Sequence, residues 1–273
     1  MMITERTTEP ASDLPATLLT DPRAEADRLV VRHRVETTAA SFTLCLVAPQ
    51  YMSRRSAGEA LADAVAELRA VDATFSPTRR DSLVSRLRRG EIAVDTYAPL
   101  ADIVARCAAM RAATDGWFDA WAVPGGFDPS GLVKGWAVDR AAARLSAAGI
   151  ADYAISGGSD LLVRGNAPGG RPWRVGIRHP EDRKRMVTTL ELTDGAIATT
   201  GGPDRRDHVV NPHTGATAGD LVAATVTGPE LAVADAYATA LYAAGAAGLA
   251  WFPTPDGYRA LVVDRSLRGR ANG

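Results

Sequence analysis

Apolar positions recur every three or four residues in three stretches. Over residues 56–75, "SAGEALADAVAELRAVDATF", Leu61, Ala64, Val65, Leu68 and Val71 fall on one helical face. Over 99–114, "PLADIVARCAAMRAAT" repeats the pattern with Leu100, Ile103, Val104 and Cys107. A third helix is expected over roughly 133–148, with Val138, Ala141, Ala142 and Leu145 inward and Gly149 as its stop. A fourth, small and apolar, is expected over about 230–248.

The remaining pattern has a different texture. Residues 33–48, "HRVETTAASFTLCLVA", read as a strand, with β-branched and apolar residues gathered at its end. "YAISGGSDLLVRG", "WRVGIRHP", "TTLELTDGAIATTG", "DHVVNPHTGATAGDLVAATVTG" and "RALVVD" are short apolar runs broken by Gly, Pro, Asn and Asp. Such runs suit antiparallel strands and hairpins. Helices and hairpins grouped in blocks point to an α+β fold: one compact domain with antiparallel or mixed sheets and flanking helices. The expected organisation is a mobile N-terminal arm over 1–30, the domain over 31–265 and a short tail over 266–273.

Composition narrows the picture. A chain of 273 residues with 46% hydrophobic positions can bury a sizeable core. A net charge of −1 supplies no global field for nucleic acid or an anionic membrane, so neither is expected as a partner. Cys45 and Cys107 lie in apolar contexts without metal-ligand spacing and read as buried thiols. No apolar run approaches the ~20 residues of a spanning helix, and the acidic, Thr/Pro-rich N-terminus lacks an apolar signal core. The expectation is a cytoplasmic protein without membrane insertion.

Dinucleotide, Walker A, CxxC, HExxH and Gly-x-Ser-x-Gly signatures are absent from the sequence. Four constellations remain. In "DPSGLVKG" (128–135), a Pro/Gly turn leads into a helix with Lys134 in or before its first turn. A lysine there opposes the helix dipole, so a bound phosphate would favour it; a solvated lysine is the alternative. In "ELAVADAYATALYAAG", Asp235 and Thr239 share a helical face, with ~5–6 Å between Cβ atoms. A carboxylate and a hydroxyl suit a hard cation such as Mg²⁺; an exposed Asp beside a back-bonded Thr is the alternative. In "HVVNPHTG", His208 precedes a tight turn and has the chemistry of a general base, or serves as a structural hairpin residue. His213 is expected to be exposed in that turn. In "ISGGSDLLVRG", a Gly turn lets backbone approach a ligand, or is a plain turn.

Taken in order, "DPSGLVKGWAVD", "GGSD", Ala198-Thr199-Thr200-Gly201, "HVVNPHTG" and "ADAYATAL" resemble the motifs of the FAD:protein FMN transferase family, once described as thiamine-biosynthesis lipoproteins. "FSPTRRDSLVSRL" and "GWFDA" resemble further segments, and the likeness runs over about 33–262. The resemblance implies an enzyme that uses Mg²⁺ and transfers the FMN half of FAD to a Thr or Ser hydroxyl of a partner protein, releasing AMP. It implies that Trp117, Phe118, Asp119, Asp128, Lys134 and Val210 contact FAD. It also implies that the Gly131 carbonyl, Asp235 and Thr239 hold the metal, and that His208 deprotonates the acceptor. The sequence departs from the family pattern at Ala39-Ala40-Ser41, where Met-Gly-Thr is usual, and at Thr78, where a tyrosine is usual. The segment between "GWFDA" and "DPSG" is also short. An FAD-holding protein and a metal-dependent FAD pyrophosphatase are the alternatives on the same frame.

Overall fold

The computed structural model describes residues 16–19, 28–38, 40–179, 182, 185–202, 209–252 and 257–272. Its centre is an eight-stranded sheet of order β11-β10-β9-β8-β5-β4-β3-β2. The strands are β2 (Val30–Glu36), β3 (Ser41–Val47), β4 (Asp152–Gly157), β5 (Asp160–Arg164), β8 (Gly195–Gly201), β9 (Leu221–Gly228), β10 (Arg259–Asp264) and β11 (Gly269–Ala271). Every neighbouring pair is antiparallel. A second sheet, β1-β6-β7, joins β1 (Ala16–Leu19), β6 (Trp173–Arg178) and β7 (Met186–Leu192), also antiparallel. Strand β1 thus lies within the stretch expected as an arm, and β11 within the expected tail.

The large sheet is covered on both faces. Along β3, Phe42, Leu44 and Leu46 join the main core with the helices, while Cys45 and Val47 join a smaller core with Trp173, Val175 and Ile197. Strand β5 divides in the same way, Leu162 to one side and Leu161 and Val163 to the other. Period-two alternation sorts the side chains, but because both faces are apolar the sequence shows only a continuous run. Cys45 and Cys107 are both buried, and burial raises the Cys107 thiol pKa to about 12.

The helices are α1 (Arg54–Phe75), α2 (Leu83–Arg88), α3 (Ala98–Ala113), α4 (Ser130–Ala147) and α5 (Leu231–Ala244). Leu68 and Val71 of α1 and Leu100, Ile103 and Cys107 of α3 are buried, as their spacing predicts. Four features differ from the sequence reading. The expected strand over 33–48 is the β2–β3 hairpin, with a turn closed by the Thr37 amide donating to the Ala40 carbonyl at 2.9 Å. No Gly or Pro marks that turn. Helix α2 is too short to display a period. Helix α4 begins at Ser130, earlier than expected, so Lys134 lies in its second turn. Helix α5 stops at Ala244, where Gly245 takes a φ of 72° and a 3₁₀ segment follows to Ala250.

Candidate active site

Helices α4 and α5, the end of strand β8 and the 117–128 loop enclose one cleft of about 430 Å³. Trp117, Phe118, Asp119, Asp128, Gly131, Lys134, Val210, Asp235 and Thr239 all line it. This volume lies in the range of small-molecule sites. His208 lies outside the described residues, as does Ala39. Val209 and Val210 reach the cleft beside Pro212. The turn that follows is held by the Asn211 amide donating to the Ala216 carbonyl at 2.8 Å and by a Val210–Thr217 bridge.

The floor is ionic. Lys134 Nζ makes a close ion pair with Asp160 Oδ2 and lies 3.4 Å from Asp235 Oδ2. The Asp160 side chain is 0% exposed and that of Asp235 3%. Asp160 Oδ1 accepts the Thr199 amide at 3.1 Å, and the Ser159 hydroxyl donates to the Thr199 carbonyl at 2.6 Å. These contacts fix the carboxylate between the β4–β5 turn and β8. Burial, then the Asp160 charge, pushes the Asp235 carboxyl above the usual carboxylate range; Lys134 and the Gly135 amide oppose this in part.

This arrangement corrects the placement of Lys134 in or before the first helical turn. It sits beyond the first turn, where the dipole effect has faded. Its charge is already offset by two carboxylates from other elements. Asp160, the last residue of the "GGSD" motif, received no role of its own in the sequence reading. The available signal was an acidic residue opening an otherwise apolar hairpin strand.

Among the described residues, no group of three or more His, Cys, Asp or Glu side chains could hold a metal. The donor set at the cleft floor is of another kind. Asp235 Oδ2 is buried, with the Lys134 ammonium 3.4 Å away. One turn along α5, Thr239 Oγ1 lies 3.4 Å from Thr200 Oγ1. A Cβ at Gly131 would stand 2.9 Å from Thr239 Oγ1 and 3.3 Å from the Phe118 ring, so a side chain there would fill this space. One carboxylate with neutral oxygens fits Mg²⁺, which typically takes one or two carboxylates and completes its octahedron with water and phosphate oxygens.

The walls are aromatic and acidic. Trp117 meets the exposed His213 ring edge-on, with centroids 4.4 Å apart. Phe118 is buried, its amide donating to Thr114 Oγ1 at 2.9 Å. Asp119 accepts from Arg111 Nε and from the Trp121 amide, each at 2.8 Å. Asp128 accepts the Ser130 amide at 3.0 Å and pairs with Arg88 at 3.1 Å. Both acidic residues therefore line the cleft while holding its loops. Thr78 also faces the cleft, its hydroxyl 3.0 Å from that of Ser76.

The α+β layer fold is shared with solved flavin transferases. Flavin Transferase ApbE from Vibrio cholerae superposes with a TM-score of 0.76 at 20% identity, covering 90% of this chain and 97% of that one. Pseudomonas stutzeri flavinyl transferase ApbE, in its apo form, superposes with a TM-score of 0.75 at 23% identity, covering 90% and 94%. The ApbE family model matches residues 122–262, just over half of the chain. The chain belongs to the ApbE family. Among curated relatives, the FAD:protein FMN transferase of Salmonella typhimurium is 34% identical over 128 residues, 43% of this chain and 37% of that protein. The FAD:protein FMN transferase of Rhodobacter capsulatus is 37% identical over 127 residues, 43% of this chain and 24% of that one. The matched stretch thus spans well under half the length of these relatives. Among the described residues, no helix is long and apolar enough to cross a membrane.

Proposed function

We propose that this chain transfers the FMN half of FAD to a Thr or Ser hydroxyl of a partner protein, in a Mg²⁺-dependent reaction that releases AMP. One observation carries the reading: a buried carboxylate, Asp235, stands one helical turn from Thr239 on the floor of the cleft, with the Lys134 ammonium 3.4 Å from its Oδ2. A carboxylate and a hydroxyl on one helix face suit a hard cation whose coordination water and phosphate oxygens complete. The family and the names of its curated relatives supply the reaction class.

In this reading Asp235, Thr239 and the Gly131 carbonyl hold the cation. When bound, Mg²⁺ supplies positive charge to the pyrophosphate oxygens. Trp117, Phe118 and Val210 form the apolar part of the FAD contact. Asp119 and Asp128 fix the loops around it, and Lys134 adds a cation near the phosphates. His208 takes the proton from the acceptor hydroxyl. The acceptor oxygen forms a bond to the FMN phosphorus as the bond from that phosphorus to the bridging oxygen breaks, and AMP departs with the bridging oxygen. Charge at an in-line displacement needs positioned, desolvated partners more than covalent help from the protein.

The test is incubation of the full chain with FAD, MgCl₂ and an acceptor domain carrying a flavinylation threonine. The expected result is covalent flavin on the acceptor, seen by in-gel fluorescence and intact mass, with matching AMP. Free FMN and AMP without a protein adduct would instead identify a pyrophosphatase. FAD retained intact would identify a binding protein.

A further inference from the structure

We infer that His213 is a positioning residue for the flavin-nucleotide site: its imidazole braces the Trp117 indole at the cleft wall and so sets the affinity for FAD. The inference rests on the FAD role of Trp117 in the proposed function and adds a residue from a different element. Trp117 lines the cleft and His213, among the described residues, does not. The two rings meet edge-on, with centroids 4.4 Å apart and planes at 74°. Edge-to-face contact is a favoured geometry, because a ring's edge is positive and its face negative.

The backbone under both rings is fixed. The Gly116 amide donates to the Arg111 carbonyl at 2.8 Å, and the Trp117 amide to the Thr114 carbonyl at 3.0 Å. Gly116 has a φ of 79°, and a Cβ there would stand 3.3 Å from His213 Cε1, so the imidazole also lies close to this turn. Across the contact, Asn211 Oδ1 accepts the His213 amide at 3.0 Å and the Thr214 amide at 3.3 Å. The Gly215 amide donates to the Asn211 carbonyl at 2.8 Å. His213 therefore projects from a closed turn, directly after Pro212, which lines the cleft with Val209 and Val210. The indole is only partly buried against the main core. Ordering a large side chain on binding costs affinity, and a ring already held in place avoids that cost. This role needs a ring of the right shape at position 213 and neither its charge nor its N–H.

The test is a titration of the full chain with FAD in MgCl₂, read by flavin fluorescence and calorimetry. His213→Ala is expected to weaken FAD binding about 2- to 10-fold, the range of an aromatic pair contact. His213→Phe, which keeps a ring without charge or N–H, is expected to bind FAD as the parent does. Trp117→Ala is expected to weaken binding, and adding His213→Ala to it to bring no further loss, because the two rings act as one unit. A role confined to holding the 211–215 turn would instead give the same loss in both backgrounds. Parental affinity in His213→Ala, an equal loss in His213→Phe, or an additive double variant would overturn the inference while leaving the FAD role of Trp117 intact. FAD binding that is undetectable in the parent, or unaltered by Trp117→Ala, would overturn both.

Discussion

Asp139, on α4, accepts the Ala232 amide at the start of α5 at 2.9 Å, and its other oxygen accepts the Leu231 amide at 3.1 Å. The residue preceding α5, Glu230, makes no side-chain cap of its own. One helix therefore caps another. One turn earlier on α4, Gly135 meets the same point: a Cβ there would stand 2.6 Å from the Leu231 carbonyl oxygen and 2.7 Å from the Ala232 nitrogen. A carboxylate and an absent side chain together set how closely α4 and α5 cross. That crossing brings Lys134 and Asp235 within ion-pair distance.

Gly135→Ala is expected to destabilise the protein by about 1–3 kcal/mol, the usual range for overpacking. The neighbours of the added methyl are backbone atoms, which cannot move aside as a flexible side chain can. Thermal unfolding should show a midpoint lowered by several degrees. An unchanged midpoint would mean that the two helices do not cross this closely.

Asp139→Ala is expected to cost about 1–2 kcal/mol, from the lost caps and the lost charge at a helix N-terminus. Burial pushes the Asp139 carboxyl above its ordinary value, and the Ala232 and Leu231 amides counter that only in part. Asp139→Asn, which keeps one acceptor, should lie between parent and Asp139→Ala in denaturant midpoint. Equal midpoints for all three would remove the capping role.

Gly131→Ala is expected to leave the fold largely intact and to abolish stabilisation by Mg²⁺ with FAD. The new methyl would occupy the space against Thr239 Oγ1, 2.9 Å away. A thermal-shift series with Mg²⁺, FAD and both decides it. Parental ligand-induced shifts in the variant would take this space out of the site.

Asp235→Ala is expected to remove the Mg²⁺-dependent thermal shift entirely, and Thr239→Ala to reduce it. Only the carboxylate brings charge to the cation, while a hydroxyl is more readily replaced by water. Ligands stabilise only the state that binds them, so the ligand-induced difference isolates the site from any general loss of stability. Equal shifts in parent and Asp235→Ala would place the metal elsewhere.

Glu67, on α1, accepts from Arg140 and from both Nε and Nη2 of Arg144, the last two at 3.0 and 2.9 Å. Burial acts to raise its pKa, but the two arginines outweigh it and hold the carboxyl below its ordinary value of 4.5. A carboxylate with a depressed folded pKa contributes stability above its unfolded pKa and loses it as pH falls through the folded one. Glu67→Gln should therefore be less stable than the parent at pH 7, by roughly 1 kcal/mol for partly exposed pairs. The gap should close as the pH is taken down through 4.5 and below. A pH-independent difference would assign the loss to packing.

The helical periods over 56–75 and 99–114 determined α1 and α3 outright, because one face of each is buried and the other solvated. The order of short motifs carried the family and most of the cleft lining, since each motif is local. The β2–β3 hairpin was not legible, for its turn at Thr37–Ala40 holds neither Gly nor Pro and both faces of the sheet are apolar. The charge state of the cleft was not legible either. From the sequence, Lys134 had a helix dipole beside it and nothing else. The tertiary structure brought Asp160 from a hairpin and Asp235 from another helix to the same ammonium. A charge's energy in a protein is set by what surrounds it in space, and only the packing of α4 against α5 and the sheet decides that.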